Sequence, residues 1–528
     1  MFDVIIKNGK IADGSGNPWF WADLGVKDGK IVRIGRLDGE AAMETIDADG
    51  CIVAPGFIDI HCHSDAVVFA QPREQGKILQ GVTTEVVGNC GSSAAPTNDA
   101  TLPSLQKYLA PLFGSFPLTW DWESVREYLN RVEDNQVISN VVTLVGHGTV
   151  RVAVMDFDNR EPTTKELKKM QKLVGEALDD GAFGLSSGLI YPPGLFSRTP
   201  EMVALCEVVA QKGGFYATHI RGESDGVEAA VAEAIGVAKQ TGVALEISHH
   251  KAAGRSNWGK TEQTLKMIDA ARADGLDVTC DVYPYIASST SLGTLLPPWM
   301  HEGGIDALLE RLESPAIRAQ VKKEFTTGLP GWENYPAAAG WKGIMVSYCE
   351  RHEEYEGKTI QEIADAQQID GADALFKILL ESRANALMNV FSMDEGDVKR
   401  ILRHPASMVG SDAIPSCGKP HPRFYGTFPR ILSKYVRNEK IICLEEGIRK
   451  MTALPAQRLG LHDRGRIGEG MWADIVVFHP DTVCDKAVFA KPQQYPEGIE
   501  YVLVNGRVSV RKGEFTGTVA GKVLRKGR

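Results

Sequence analysis

The sequence predicts an α/β protein in two parts. A long middle of repeated βα units points to a parallel sheet or a (β/α)8 barrel, and a small β-domain is assembled from both chain ends. Three observations predict this. Both ends read as short strands with tight turns. The middle alternates short apolar runs with amphipathic helices at intervals of about 30–40 residues. One stretch, about 290–400, breaks that rhythm with Pro, Trp and charge.

At the N-terminal end, Val4-Ile5-Ile6 is apolar and Asn8-Gly9 is a hairpin signal. Asp28-Gly29 before Ile31-Val32-Arg33-Ile34 is a second. The C-terminal end repeats the style in Ala473–Phe478 and Tyr501–Val508. In the middle, the apolar runs are Ile52–Ala54, Thr84–Val87, Asn140–Val145, Gly184–Ser186, Phe215–Thr218, Leu245–Ser248 and Val278–Val282. Helical patterns lie between them at Thr163–Asp179, Thr199–Lys212, Gly226–Thr241 and Thr261–Ala273. No attractive strand follows Val282 until Met408–Asp412, so residues about 290–400 are read as an insertion with its own helices. Long insertions at a barrel rim tend to be active-site lids. The expected division is 1–54 and 431–528 for the two halves of the terminal domain and a barrel-closing helix, and 55–430 for the catalytic part.

At 528 residues and about 150 per domain, length alone would set three or four domains; the pattern reduces this to two. The 58 Lys+Arg against 68 Asp+Glu leave a formal charge of −10, and no basic run stands out. That argues against nucleic acid or an anionic membrane as partner and leaves a small-molecule substrate. No stretch approaches the ~18 apolar residues of a spanning helix, and the start, MFDVIIKNGKIADGSG, lacks the organisation of a signal peptide. Nine cysteines scattered singly make a poor disulfide framework. A cytoplasmic enzyme, monomer or small homo-oligomer, is expected.

Catalytic groups of a barrel sit at the C-terminal ends of its strands, and metal-type residues gather there. His61 and His63 follow Phe57–Ile60; in a strand, positions i and i+2 share a face and can grip one ion. Cys90 follows Thr84–Gly88, His219 follows Phe215–Thr218, His249 follows Leu245–Ser248, and Asp412 follows Met408–Ser411. Lys251 would share the face of His249, with His250 turned away, packed or solvated. Singly, each has an ordinary explanation: Cys90 as a small buried hydrophobe, Asp412 as a helix N-cap. Five strand ends closing on ligand-type side chains do not. Imidazole, thiolate and carboxylate together suit zinc better than magnesium or calcium. His147 ends the third apolar run and could line the site without ligating. His301, His352, His404, His462 and His479 lie in polar or loop contexts and are read as surface residues.

The stretch Pro55-Gly56-Phe57-Ile58-Asp59-Ile60-His61-Cys62-His63 resembles the first-strand motif of the amidohydrolase superfamily. Thr452–Ala456 through Gly465–Val476 resembles that superfamily's return into a β-sandwich. Narrower features are similar to the N-acyl-D-amino-acid deacylases, or D-aminoacylases: Gly88–Gly91, Gly184–Tyr191, Ile247–Lys251, Tyr283–Tyr285 and His421–Arg430. The resemblance implies a (β/α)8 metal-dependent hydrolase barrel with a β-sandwich. It implies a zinc held tightly by Cys90, His219 and His249, and a second, weaker metal position at His61, His63 and Asp412 that Cys90 could bridge. Many relatives bridge two metals with a lysine from the fourth strand; Gly184-Leu185-Ser186-Ser187 offers none. By the same resemblance Asp412 moves protons, Tyr191 donates to the developing oxyanion, and Lys251, Tyr283, Ser288 and Arg423 hold a substrate carboxylate. Relatives that take N-acyl-D-glutamate place an arginine shortly after the Ser288-Ser289-Thr290 run. Thr290–Met300 contains neither Arg nor Lys, so apolar D-side chains are expected. The alternatives are a cyclic amidohydrolase of the hydantoinase or dihydropyrimidinase kind, and a non-catalytic scaffold on the same fold.

Overall fold

The computed structural model describes residues 1–69, 74–113 and 118–527. Its centre is a ring of eight parallel strands: β1 (Phe57–Asp59), β2 (Val82–Val87), β3 (Asn140–Thr143, continued by Val145–Gly146), β4 (Gly184–Gly188), β5 (Phe215–His219), β6 (Ala244–Ile247), β7 (Val278–Val282) and β8 (Ser407–Val409). Each pairs with the next in parallel register. The ring closes just beyond β8 and β1, where Asp412 N–H donates to the His61 carbonyl (2.7 Å) and His63 N–H to that of Ala413 (3.0 Å). The closing seam therefore carries three of the residues singled out from sequence.

Strand period fixes which side chains face in. Ile58, Val86, Val142, Phe215 and Ala217 share one apolar cluster, while Tyr216, Leu245, Ile247, Val278 and Cys280 belong to another that includes the surrounding helices. His219 has the parity of Phe215 and Ala217, and so points inward at the rim. Helices Thr164–Asp180, Thr199–Gln211, Val227–Thr241 and Thr261–Ala273 follow β3 to β6 almost where the pattern placed them. The first starts on a capping box, Thr163 with Glu166, which satisfies end N–H groups that the helix leaves free.

The two chain ends share one nine-stranded sheet, in which Ile52–Pro55 lies between Phe2–Ile11 and Ile475–Phe478. Its inward residues, among them Val4, Leu24, Ile46, Val53, Ile475 and Leu503, form a cluster of their own. Two expectations are corrected here. Ile52–Ala54, counted among the apolar runs of the middle, is a strand of this sheet, on the terminal side of the expected division at residue 54. Asn8-Gly9 is no hairpin turn: Phe2–Ile11 runs through it as one strand, with the register slipping between Ile6 and Gly9 and Asn8 at φ 60°, a bulge. Asp28-Gly29 does turn a hairpin, pairing Lys27 with Lys30, both turn residues having the positive φ such a turn demands.

Between β7 and β8 the insertion builds a small unit on its own core. Strands Ser288–Ser291, Ile344–Cys349 and Ala386–Val390 form an antiparallel sheet, and Leu292, Leu308, Val346, Leu375 and Met388 are among the buried residues of a separate cluster. No helix among the described residues is long and apolar enough to cross a membrane. All nine cysteines are free thiols.

Candidate metal centre

The barrel rim brings the predicted ligands into one buried cluster. His61, Cys90, His249 and Asp412 each present a ligand atom within 4.8 Å of the others. Cys90 Sγ lies 3.3 Å from His61 Nε2 and 3.4 Å from His249 Nε2. Asp412 Oδ1 lies 3.4 Å from His61 Nε2 and 3.2 Å from His63 Nε2, and its Oδ2 2.8 Å from Arg423 Nη1. His219 packs its ring 4.4 Å from that of His249, and neither of its nitrogens has a hydrogen-bond partner. A buried imidazole without a partner costs free energy unless something outside the protein's own groups satisfies it. With a thiolate and a carboxylate beside it, a metal ion of zinc's character fits this donor set.

The charges in the cluster are mutually dependent. Burial would push the Cys90 thiol up, but the imidazoles of His61 and His249 hold it well below its ordinary value. Burial alone would lower His61; Asp281 and the Cys90 thiolate raise it well above the usual range. Burial alone would lower His63, but Asp412 and the Cys90 thiolate together raise it to about 9. Burial would raise Asp412, yet Arg423 and His249 keep it well below the usual carboxylate range. Without a metal, the protein thus sets protons on imidazoles against two anionic donors.

Three of these residues adopt left-handed backbone: Cys90 (φ 52°), His249 (φ 36°) and Asp412 (φ 50°). Non-glycine residues take this conformation at a cost, and such outliers concentrate at functional sites. The Cys90 loop is held by backbone on every side. Thr149 N–H donates to the Gly91 carbonyl (3.2 Å), Gly91 N–H donates to Ser186 Oγ (3.0 Å), and a Cβ placed on Gly188 would meet the Cys90 carbonyl oxygen at 2.2 Å. Gly188→Ala is accordingly expected to push the Cys90 loop out of place. Overpacking of this kind costs about 1–3 kcal/mol, so a lower melting temperature and less zinc per chain should accompany each other; an unchanged melting temperature would show that the loop can move aside.

The other predicted groups stand around the cluster. Tyr191 packs edge-on to His219, with ring centroids 4.9 Å apart, and its hydroxyl accepts from Thr290 Oγ1 (3.1 Å). Enclosure pushes its phenol well above the ordinary value, so it stays a donor. Arg423, fully buried, stacks over Tyr283 at 4.7 Å, and Lys251 Nζ stands 5.6 Å from the same ring. Ser288 opens the strand beside Ser289, whose carbonyl accepts from Arg423 Nη2 (3.2 Å).

The structure changes some sequence expectations. The β6 strand ends at Ile247, so strand alternation does not reach His249 and Lys251; Lys251 nonetheless comes within 2.8 Å of His249 Nδ1 through the turn. His250 is packed, its Nε2 2.7 Å from Thr264 Oγ1. His147 is buried against Glu201 (2.7 Å) instead of facing the cluster. His301 and His404 are not surface residues. His301 is enclosed beneath the insertion, where burial lowers it to about 4, and His404 lies within 3.0 Å of Asp269 and accepts from Ala406 N–H.

Four further residues at the site are not among those the sequence patterns single out. Asp281 lies 3.3 Å from His61 Nδ1; its inward parity on β7 was a usable signal. Glu223 lies 3.0 Å from His249 Nδ1 and 2.5 Å from Lys251 Nζ. With His219 and His249 it forms a second group of ligand-type atoms, but the Lys251 ammonium already supplies positive charge there. From the insertion, Glu333 accepts the Glu223 N–H (2.8 Å), and Tyr335 is buried close enough to Glu223, Tyr191 and Tyr283 for their charges to raise its phenol further than burial alone. Nothing in the sequence ties those two to the rim.

A closed eight-stranded barrel with this rim cluster defines the amidohydrolase class, and the sequence profile of the amidohydrolase family matches residues 44–510. The chain is 40% identical over 504 residues to an N-acyl-D-glutamate deacylase of Alcaligenes xylosoxydans xylosoxydans, covering 96% of this chain and 93% of that one. It is 36% identical over 523 residues to a D-aminoacylase of the same organism, covering 99% and 97%. A crystal structure of N-acyl-D-glutamate deacylase from Bordetella bronchiseptica, complexed with zinc and a phosphonate that mimics the tetrahedral intermediate, superimposes with a TM-score of 0.84 at 38% identity over 99% of both chains. The chain is therefore a member of the amidohydrolase family, in its N-acyl-D-amino-acid deacylase branch.

Proposed function

We propose that this protein is a zinc-dependent hydrolase that cleaves the amide bond of N-acyl-D-amino acids, N-acetyl derivatives with apolar side chains foremost, to a carboxylate and a free D-amino acid. The observation that carries this is the buried thiolate–imidazole–carboxylate cluster at the rim, in a chain whose relatives of near-equal length are named for this reaction. In this reading Cys90, His219 and His249 hold one zinc tightly, and His61, His63 and Asp412 offer a second, weaker position. The protein works in the cytoplasm, as its nine free thiols favour, as a monomer or small homo-oligomer. The catalytic part spans 55–430, between terminal segments 1–54 and 431–528.

An amide is a poor electrophile with a poor leaving group. Zinc, when bound, supplies Lewis-acid polarisation of the acyl carbonyl and acidifies water. The chain supplies the rest. Asp412, ionised under the influence of Arg423, accepts the proton of the attacking water and passes it to the departing amine nitrogen. Tyr191 donates to the oxygen on which charge develops, a contact stronger in the transition state than in the ground state. The α-carboxylate is met by the Arg423 fork and the Lys251 ammonium, with Tyr283 and Ser288 beside them.

Side-chain preference follows from what the surrounding cavities contain. A cavity of about 400 Å³ next to Leu189 and Ile190 is walled by Leu296, Trp332 and Glu333, and both arginines that line it are already paired, Arg221 in two bonds with Glu233 (2.9 and 3.0 Å) and the exposed Arg198 with Glu161 (2.7 Å). The insertion thus adds a carboxylate and an indole there. An acidic substrate side chain would lose its hydration without gaining a partner. In a panel of N-acetyl-D- and L-amino acids and hydantoins assayed for released amine, N-acetyl-D-leucine is expected to turn over fastest and to depend on added zinc. Faster turnover of N-acetyl-D-glutamate would overturn the apolar preference, and hydantoin opening would favour the cyclic amidohydrolase.

A further inference from the structure

We propose that Glu223 is a positioning residue that sets the orientation of His249 toward the metal and holds Lys251 for the substrate carboxylate; this rests on the zinc reading above. Glu223 stands on the loop after β5, 2% exposed, and a single oxygen, Oε1, lies 3.0 Å from His249 Nδ1 and 2.5 Å from Lys251 Nζ. The other nitrogen of His249, Nε2, faces Cys90 at 3.4 Å. An imidazole that donates Nδ1–H to a carboxylate has its tautomer fixed, leaves Nε2 free as a metal donor, and cannot rotate away; Lys251 Nζ, 2.8 Å from Nδ1 and donor-only, then directs its hydrogen to Glu223 and not to the ring. His249 needs such a restraint, since its backbone is left-handed and its strand has already ended. The same oxygen draws Lys251 in beside Tyr283, where otherwise a four-carbon stem could swing freely. One carboxylate thereby ties a metal ligand to a substrate cation. The loop is itself secured from the insertion, where Glu223 N–H donates to Glu333 Oε2 (2.8 Å), and from the loop after β6, where Ala253 N–H donates to the Glu223 carbonyl (2.6 Å). With the insertion in place, Glu223 has no freedom to leave His249 and Lys251.

Glu223→Gln in the full chain tests this. Loss of a carboxylate behind a metal-binding imidazole typically weakens metal affinity or activity by about 10–100-fold. Zinc retention against a chelator should fall within that range, and the zinc-induced rise in melting temperature should shrink, beyond the drop that loss of the buried pair with Lys251 causes in the metal-free protein. KM for N-acetyl-D-leucine should rise with the loss of Lys251 placement, and Glu223→Asp, which keeps the charge on a shorter stem, should recover part of both effects. Wild-type zinc retention in Glu223→Gln overturns the proposal. An equal drop in melting temperature with and without zinc also overturns it, reducing Glu223 to a packing role. Should Glu223→Gln fail to fold, zinc retention in Glu223→Asp decides alone: weaker than wild type supports the proposal and unchanged overturns it. The zinc measurements need no substrate, so they stand even if the wild type hydrolyses none of the panel.

Discussion

Asp412→Asn is expected to keep its zinc and lose turnover by a factor of about 10³ or more. General acid–base catalysis by one positioned group contributes about 10²–10⁴, and in the proposed mechanism one carboxylate serves both proton transfers. Asparagine has the same shape but a single oxygen, so it fills the same space and keeps an acceptor for one of its two partners, Arg423 (2.8 Å from Oδ2) or His63 (3.2 Å from Oδ1). What disappears is a group able to take a proton at neutral pH. In the proposed assignment Asp412 belongs to the weaker position, so the tight zinc should be spared. Zinc per chain and kcat measured on one preparation check both halves. A kcat near the wild-type value would remove Asp412 from the proton path, and zinc loss would move it into the tight site.

Cys90→Ser is expected to strike the metal first and the rate as a consequence. Structural zinc sites gather about 10–16 kcal/mol over a handful of ligands, so one ligand is worth roughly 3 kcal/mol, or about a hundredfold in affinity. A serine hydroxyl at this position would stay protonated, whereas the thiol is held well below its ordinary value by the imidazoles beside it. The variant should lose zinc on dialysis against a chelator that leaves the wild type loaded, and its activity should return in part when zinc is added in excess. Stoichiometric zinc after that dialysis would show that the metal does not depend on the thiolate.

Much of this site was legible because barrel geometry converts strand ends into a list. His61, Cys90, His219, His249 and Asp412 all come just after apolar runs, and the fold needs only to close to bring them together. Asp281 was equally accessible, through the inward parity of β7, had strand interiors been read as well as strand ends. Glu223, Glu333 and Tyr335 were not. Their positions depend on how a loop turns and on where an insertion lands, and no local pattern encodes either. The misplaced histidines fail for a related reason. His301 and His404 have polar neighbours in sequence, but burial is decided by what packs from elsewhere, here the insertion's own unit for one and the helix bearing Asp269 for the other. Asn8-Gly9 shows the same limit at short range: the dipeptide signals positive φ at Asn8, which a bulge uses as readily as a turn.

The insertion's separate core has a consequence for how this enzyme class can diversify. Residues such as Leu308, Leu375 and Met388 stabilise that unit without borrowing from the barrel interior. In the proposed reading, the chemistry and the choice of substrate therefore sit on modules with separate cores, and so with separate tolerance to mutation. Changes at Leu296 or Trp332 draw on the insertion's stability, and changes in the barrel interior draw on the ring's. Selectivity can drift while the metal cluster stays fixed, and exchanging the insertion between relatives is the natural engineering route to a new side-chain preference. Only the few joints between modules, with Glu333 on the Glu223 backbone foremost, must be kept in register by both.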